Sequence, residues 1–336
     1  MRYPEIVAEL SANHFQDWDR IRRLIDTAKT AGADAVKLQV WQEDTMTLGD
    51  YLIKGTTWSG QRMRDLYRQA HMPWGLVEKA FIHAENMGID CLASVFDKPS
   101  LAFLEDLGCP RYKIASFEVV DIPLIRATAA TGKPLVLSTG ASTADEIWEA
   151  MTAARHARSL TLLKCTSAYP AEPSDANLRA MQSLRNLGAL SGPELDIRVG
   201  LSDHTRGIAV PVAAAVLGAQ MIEKHLTLAY GDGGPDEAFS IDPVDFGVMV
   251  RSVEDAVASM GSNTIEPCER EAPSLQFRRS LYWARHVDAG QTITPEDLCT
   301  ARPAAGDPPL NLWKFIGMTA CRTFERGDPA HLSDTQ

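Results

Sequence analysis

Paired cysteines are missing from this chain. Its six cysteines (91, 109, 165, 268, 299 and 321) are scattered and none forms a CxxC pair, so they read as reduced core thiols. Basic charge is also in deficit. Thirty-three Lys and Arg stand against 44 Asp and Glu, and the net charge of −11 argues against nucleic acid or an anionic membrane surface as a partner. Long apolar runs are absent too: the longest, 208–222, is interrupted by Pro211 and is too short to span a bilayer. The stretch MRYPEIVAEL has no basic region followed by a long apolar run, so no signal peptide is expected. What remains is a chain of 336 residues, 45% hydrophobic, able to bury a full core. A cytoplasmic protein with one large domain and one small one is the expectation.

Short apolar runs alternate with helix-period segments. Strand candidates are 5–10, 35–40, 91–96, 111–116, 134–139, 160–166, 199–205 and 221–227, and a closing helix is expected at 243–260. A polar excursion, 42–72, interrupts the rhythm after the second strand. The strand candidates are apolar throughout, as when both faces of a sheet are covered. Eight strand-then-helix units within roughly 260 residues predict a (β/α)8 TIM barrel over 1–262. An open doubly wound sheet fits the same periodicity. Past Gly261 a proline-punctuated, charged linker (263–276) leads to a compact module over 277–336 with little regular helix.

A barrel gathers its chemistry where strands end. His204 and His225 close the last two strand candidates, with Asp203 and Glu223 beside them. Neutral imidazoles at one sheet edge suit a divalent metal, and two unrelated polar strand ends fit the spacing equally well. Four lysines, Lys37, Lys113, Lys164 and Lys224, interrupt otherwise apolar strands. A lysine there is costly unless it faces a polar cavity. Together they predict a basic pocket for a phosphate or carboxylate ligand.

The segments AELSANH (8–14), VKLQ (36–39), KIASFE (113–118), LSTG (137–140), LLKCTSAYP (162–170), GLSDHT (200–205), EKH (223–225) and GGPDEAFS (233–240) run through nearly the whole chain in order. In this the chain resembles the sialic acid synthase family, whose members condense phosphoenolpyruvate with an amino sugar to give nonulosonic acids. The module at 277–336 resembles the antifreeze-like (SAF) domain that ends that family's chains. Within the family, LSANH, GTTWSG (55–60), KIASFE and GGPD resemble the pseudaminic acid synthase branch. The implied acceptor is 2,4-diacetamido-2,4,6-trideoxy-L-altrose. Departures from the pattern are Val95, where the family has proline, the segment after Pro73-Trp74, and the Ala304-Ala305-Gly306 that follows Arg302-Pro303.

The resemblance implies His204 and His225 as ligands of Mn²⁺ or another divalent cation such as Mg²⁺ or Co²⁺. It places Lys37, Lys113, Ser94, Ser116, Ser138 and Ser202 on phosphoenolpyruvate. Glu9, Gln39, Glu118, Ser167, Tyr169 and Asp236 then face the sugar and the reacting centre. Glu9, Glu118 and Lys37 are the expected catalytic residues, Glu118 as general acid/base and Glu9 as its helper. Salt bridges to the strand lysines would also explain both glutamates. Arg302 matches an arginine that one subunit offers to its partner's site, which implies a domain-swapped homodimer. Cys165 lacks an evident histidine partner in the sequence and reads as a buried thiol. A Schiff-base aldolase using Lys113, Lys164 or Lys224, and a non-catalytic sugar-binding protein, are the competing readings.

Overall fold

Val7, Ala35, Leu92, Val136, Leu163 and Met221 come from six different strands, yet they pack as one buried cluster. A closed sheet brings them together in its lumen. The structure is a computed structural model that describes residues 3–192 and 195–336; Met1 and Arg2, which begin the stretch read for a signal peptide, lie outside the described residues. Among the described residues eight parallel strands close in sequence order. They are β1 (Glu5–Glu9), β2 (Ala35–Val40), β3 (Asp90–Val95), β4 (Tyr112–Ile114), β5 (Leu135–Ser138), β6 (Leu160–Cys165), β7 (Ile197–Asp203) and β8 (Met221–His225). β8 pairs back onto β1, with Glu9 opposite His225, so the sheet is a barrel and not an open one.

The strands are apolar on both faces because both are covered. Val36, Leu38 and Val40 of β2 pack outward in the main core with Ile21, Leu24 and Ile25 of helix Trp18–Thr30. Lys37 and Gln39, between them, face the lumen, as the two-residue period of a strand requires. Helices start close after the strand ends because their caps fix them there. Asp97 accepts the Ser100 amide at 2.7 Å to open Lys98–Asp106, and a Thr143–Glu146 capping box opens Ala144–Ala153. Gly200 faces the lumen from β7, where a Cβ would lie 2.3 Å from the Met221 carbonyl oxygen and 2.8 Å from Leu163.

Two local expectations change. The strand expected at 111–116 ends at Ile114, and Ser116–Glu118 forms a 3₁₀ turn. The Ser116 hydroxyl there accepts the Gly140 amide at 3.1 Å, which ties the turn to the next strand end. The excursion 42–72 carries two short helices, Glu43–Met46 and Met63–Ala70, and an antiparallel bridge between Leu52 and Arg62.

Residues 262–336 form a second compact unit. β9 (Ser280–Trp283) and β10 (Leu298–Ala301) pair antiparallel over a core of Leu281, Val287, Ile293, Phe315 and a stacked Trp283–Phe324 pair 4.4 Å apart. Glu269–Phe277, which runs from the stretch read as a linker into the first residue of the module, is an exposed 3₁₀ run. Among the described residues no helix is long and apolar enough to cross a membrane.

Candidate active site

Directly above the apolar lumen cluster the inward side chains become polar. Lys37 Nζ lies 2.6 Å from Glu9 Oε2 and 3.0 Å from Glu223 Oε1, and Lys113 Nζ reaches the same Glu223 oxygen at 2.5 Å. Ser202 Oγ donates to that oxygen at 3.0 Å. All four charged groups are almost wholly buried. Burial alone would raise the Glu223 carboxyl; the Lys113 and Lys37 charges outweigh it and hold it far below the usual range. Burial also pushes the Lys37 ammonium down, against the pull of Glu223. The predicted basic pocket is therefore a charge-matched one. Its free donors are the remaining ammonium protons and the hydroxyls of Ser94 and Ser138, both buried without a hydrogen-bond partner.

Two of the four strand lysines do not face this cavity. Strand alternation turns Lys224 outward between Glu223 and His225, where it donates to Asp203 at 2.6 Å and to the Thr205 carbonyl. Asp203, expected near a metal, is consumed by this pair and by the Thr205 amide and hydroxyl. Lys164 likewise points out between Leu163 and Cys165 and donates to the Cys165 carbonyl at 2.6 Å. Two of the three lysines considered for a Schiff base are thus turned away from the cavity.

His204 and His225 meet at the rim of the charged floor, their ring centroids 5.2 Å apart. His204 Nδ1 lies 2.9 Å from the Thr166 carbonyl and so carries a proton, which leaves Nε2 with a lone pair. His225 Nδ1 is 3.2 Å from Ser11 Oγ. Ser11 in turn bonds the Asp236 carboxyl, which also accepts the Ala12 amide at 3.3 Å. Both rings are thus held through Nδ1 by outer partners, as in imidazoles that ligate a metal through Nε2. That donor set fits a divalent cation whose remaining ligands are oxygens. Among the described residues no group of three or more His, Cys, Asp and Glu side chains is arranged to hold a metal. Tyr169 lies 4.4 Å from the His204 ring and Phe239 4.8 Å from the His225 ring, forming an aromatic collar.

A cavity of about 300 Å³ stands over these groups. Glu118, lifted over it by the 3₁₀ turn after β4, lines its wall. Burial pushes its carboxyl up to about 7, and Oε2 is buried without a hydrogen-bond partner. A carboxyl poised there can exchange a proton near neutrality. The mouth is apolar and comes largely from the excursion 42–72: Met46, Ile53, Trp58, Met63, Leu66 and Tyr67 line it. Trp58 Nε1 donates to the Pro235 carbonyl at 2.9 Å, tying the GTTWSG loop across to the loop that carries Asp236.

The cavity wall gathers Lys37, Gln39, Ser94, Lys113, Ser116, Glu118, Ser138, Tyr169, Ser202, His204, His225 and Asp236. Glu9 lies behind Lys37, its Oε1 taking the Ser11 amide at 2.8 Å and the Gln39 side chain at 3.2 Å. Ser167 lines a neighbouring crevice, beside Gly140, where a Cβ would meet its Oγ at 2.2 Å. Arg302 is exposed at the end of β10 in the second unit. His14, considered for the sugar pocket, is buried away from the cavity, and burial lowers it to about 4. Cys165 does have a histidine partner: its Sγ is 3.8 Å from His204 Nδ1. Burial would raise that thiol, but His204, Ser116 and Lys113 together outweigh burial and bring it down to about 6. Trp41 and Phe96 are wall residues that sequence reasoning did not assign, and Glu223, expected beside the histidines, pairs instead with Lys37 and Lys113. The period-two series Lys37-Gln39-Trp41 and Ser94-Phe96 were the signal for the two wall residues.

Residues 24–265 match the NeuB family, and residues 278–334 match the SAF domain. The chain belongs to the NeuB family. It is 37% identical to a pseudaminic acid synthase of Helicobacter pylori, covering 99% of this chain and 98% of that one. It is 34% identical to an N,N'-diacetyllegionaminic acid synthase of Legionella pneumophila, over 93% of this chain and 89% of the relative. Among solved structures, an N-acetylneuraminic acid synthetase of Leptospira borgpetersenii matches with a TM-score of 0.70 at 29% identity, over 82% of this chain and 92% of that one. Membership makes the chain an enzyme, a phosphoenolpyruvate-dependent sugar synthase, and removes the non-catalytic sugar-binding reading.

Proposed function

We propose that this NeuB-family enzyme condenses phosphoenolpyruvate with 2,4-diacetamido-2,4,6-trideoxy-L-altrose and water, giving pseudaminic acid and phosphate. The carrying observation is the layering of one cavity: a lysine-and-hydroxyl floor, a histidine pair at its rim and an aromatic mouth. Full-length similarity to pseudaminic acid synthases supports the choice of sugar. Lys37, Lys113 and the Ser94, Ser116, Ser138 and Ser202 hydroxyls hold the phosphate and carboxylate of phosphoenolpyruvate. Glu223, between the lysines, keeps both aimed inward, and Glu9 fixes Lys37 from behind.

His204 and His225 would hold a divalent cation, Mn²⁺ or a similar ion, which when bound polarises the sugar aldehyde. Asp236, Tyr169, Gln39 and Ser167 orient the sugar. As the new carbon–carbon bond forms, positive charge develops at carbon 2 of the enol phosphate. Water adds there and phosphate leaves. Glu118 gives and takes the protons, because a carboxyl near 7 is populated in both states at neutral pH. In this reading residues 1–262 are the catalytic domain, 263–276 a linker and 277–336 the SAF domain. Arg302 enters the site of a partner copy in a domain-swapped homodimer, and the enzyme works in the cytoplasm.

Phosphate release from phosphoenolpyruvate tests this with three acceptors: the altrose, its legionaminic counterpart and N-acetylmannosamine. Release with the altrose alone supports the proposal. Release with another sugar keeps the chemistry and reassigns the branch, and silence with all three rejects it.

A further inference from the structure

Along β2 and just beyond it, Lys37, Gln39 and Trp41 follow one another on the cavity side. Each step of two residues climbs about 6.6 Å, so Trp41 stands about 13 Å above Lys37 along the strand direction. It lines the cavity above the lysine-and-hydroxyl floor that the proposed reaction gives to phosphoenolpyruvate. Trp41 is only 3% exposed, and its Nε1–H is buried without a hydrogen-bond partner. Around it the wall is hydrocarbon. Phe96 stands edge-on at 5.2 Å and Tyr67 at 6.3 Å, and Met63 and Leu66 line the same cavity.

A buried donor without a partner is unfavourable in the empty site and is compensated when a ligand brings an acceptor. The group that fits must carry one acceptor and otherwise be apolar. A hydroxyl would pair with the N–H but leave the hydrocarbon wall without a partner. A carboxylate would place its second oxygen against Phe96 and the methionine and leucine side chains. An acetamido group has one carbonyl oxygen and one methyl.

We infer that Trp41 is a specificity-determining residue that recognises an acetamido group of the acceptor sugar. Its indole N–H donates to the acetamido carbonyl, and the methyl lies against Phe96, Tyr67, Met63 and Leu66. This rests on the reading of the site as an acetamido-sugar synthase.

The test measures kcat/KM for the diacetamido sugar and for two analogues, each with one acetamido replaced by hydroxyl, in wild type and Trp41→Phe. The expected result is a loss of about 10–100-fold for the diacetamido sugar in Trp41→Phe, carried by the sugar KM, with the phosphoenolpyruvate KM unchanged. For one analogue that loss disappears, because the group Trp41 binds is already gone. Equal losses on all three acceptors, or no loss on any, overturn the inference while leaving the proposed reaction standing. A wild type that turns over no acetamido sugar removes both. Should Trp41→Phe not fold, Phe96→Leu carries the test with N-acetyl and N-formyl versions of the sugar. A loss confined to the N-acetyl sugar supports the methyl pocket, and equal loss on both contradicts it.

Discussion

Two buried ion clusters stand on opposite faces of the barrel sheet, and β8 contributes to both, Lys224 outside and Glu223 inside. Outside, Lys224, Asp203 and Thr205 satisfy one another: Asp203 receives the ammonium at 2.6 Å and the Thr205 hydroxyl and amide at 3.0 and 3.1 Å. Inside, Lys37, Lys113, Glu9 and Glu223 are as deeply buried, but the wall around them keeps unused valence. Ser94 Oγ, Ser138 Oγ, Glu118 Oε2, Glu223 Oε2 and Trp41 Nε1 are buried with no hydrogen-bond partner. A closed cluster stabilises a fold, and an open one waits for ligand atoms. Burial and charge are alike in the two places; completeness of pairing separates them.

The largest effect expected on the open side is loss of the cation. Chelation should lower phosphate release by about a thousandfold or more, since a Lewis acid supplies several kcal/mol at the transition state, and added Mn²⁺ should restore it. Undiminished turnover after verified metal removal would detach the histidine pair from the chemistry. Next comes Glu118→Gln, for which kcat should fall by about 10²–10⁴ while phosphoenolpyruvate still binds, as read by calorimetry. A near-normal kcat would leave Glu118 with only an electrostatic role.

The closed side should answer differently. Lys224→Met leaves the Asp203 charge buried and unpaired, and should cost about 3–5 kcal/mol in the barrel's denaturant transition, with kcat of the folded enzyme near wild type. A stable Lys224→Met variant with collapsed kcat would reverse the assignment of the two clusters.

The smallest effect is a pH dependence. The Glu118 carboxyl titrates at about 7 in the fold against 4.5 as its reference value. A raised carboxyl favours folding below the reference pKa and loses that contribution as pH rises through 7. Glu118→Gln lacks this loss, so its stability relative to wild type should improve by about 2–3 kcal/mol between pH 4.5 and 8, measured by urea unfolding. Parallel pH profiles for the two proteins would mean the carboxyl is not shifted.

The same two clusters mark what the sequence could and could not reveal. The eight strands were legible because continuous apolar runs ending in polar residues recur at barrel spacing. The histidine pair was legible because both residues end adjacent strands. The inward or outward sense of each lysine was not, since a strand apolar on both faces gives no hydrophobic alternation to set phase. Lys224 therefore looked like Lys113 until pairing showed that Glu223 and His225 own the lumen. Cys165 and His204 lie 39 positions apart, and only the β6–β7 register makes them neighbours. The aromatic mouth was hidden for a different reason. It comes from the excursion 42–72, whose short helices and single bridge leave no long period to read.

One measurement bears most directly on the contrast between open and closed clusters: a crystal structure with Mn²⁺ and phosphoenolpyruvate, using the anomalous signal of manganese. The account predicts one peak within bonding distance of Nε2 of both His204 and His225, with the phosphate between Lys37, Lys113, Ser94 and Ser138. Manganese or phosphoenolpyruvate bound instead at the Asp203–Lys224 face, or a histidine pair without metal beside an occupied floor, would contradict it.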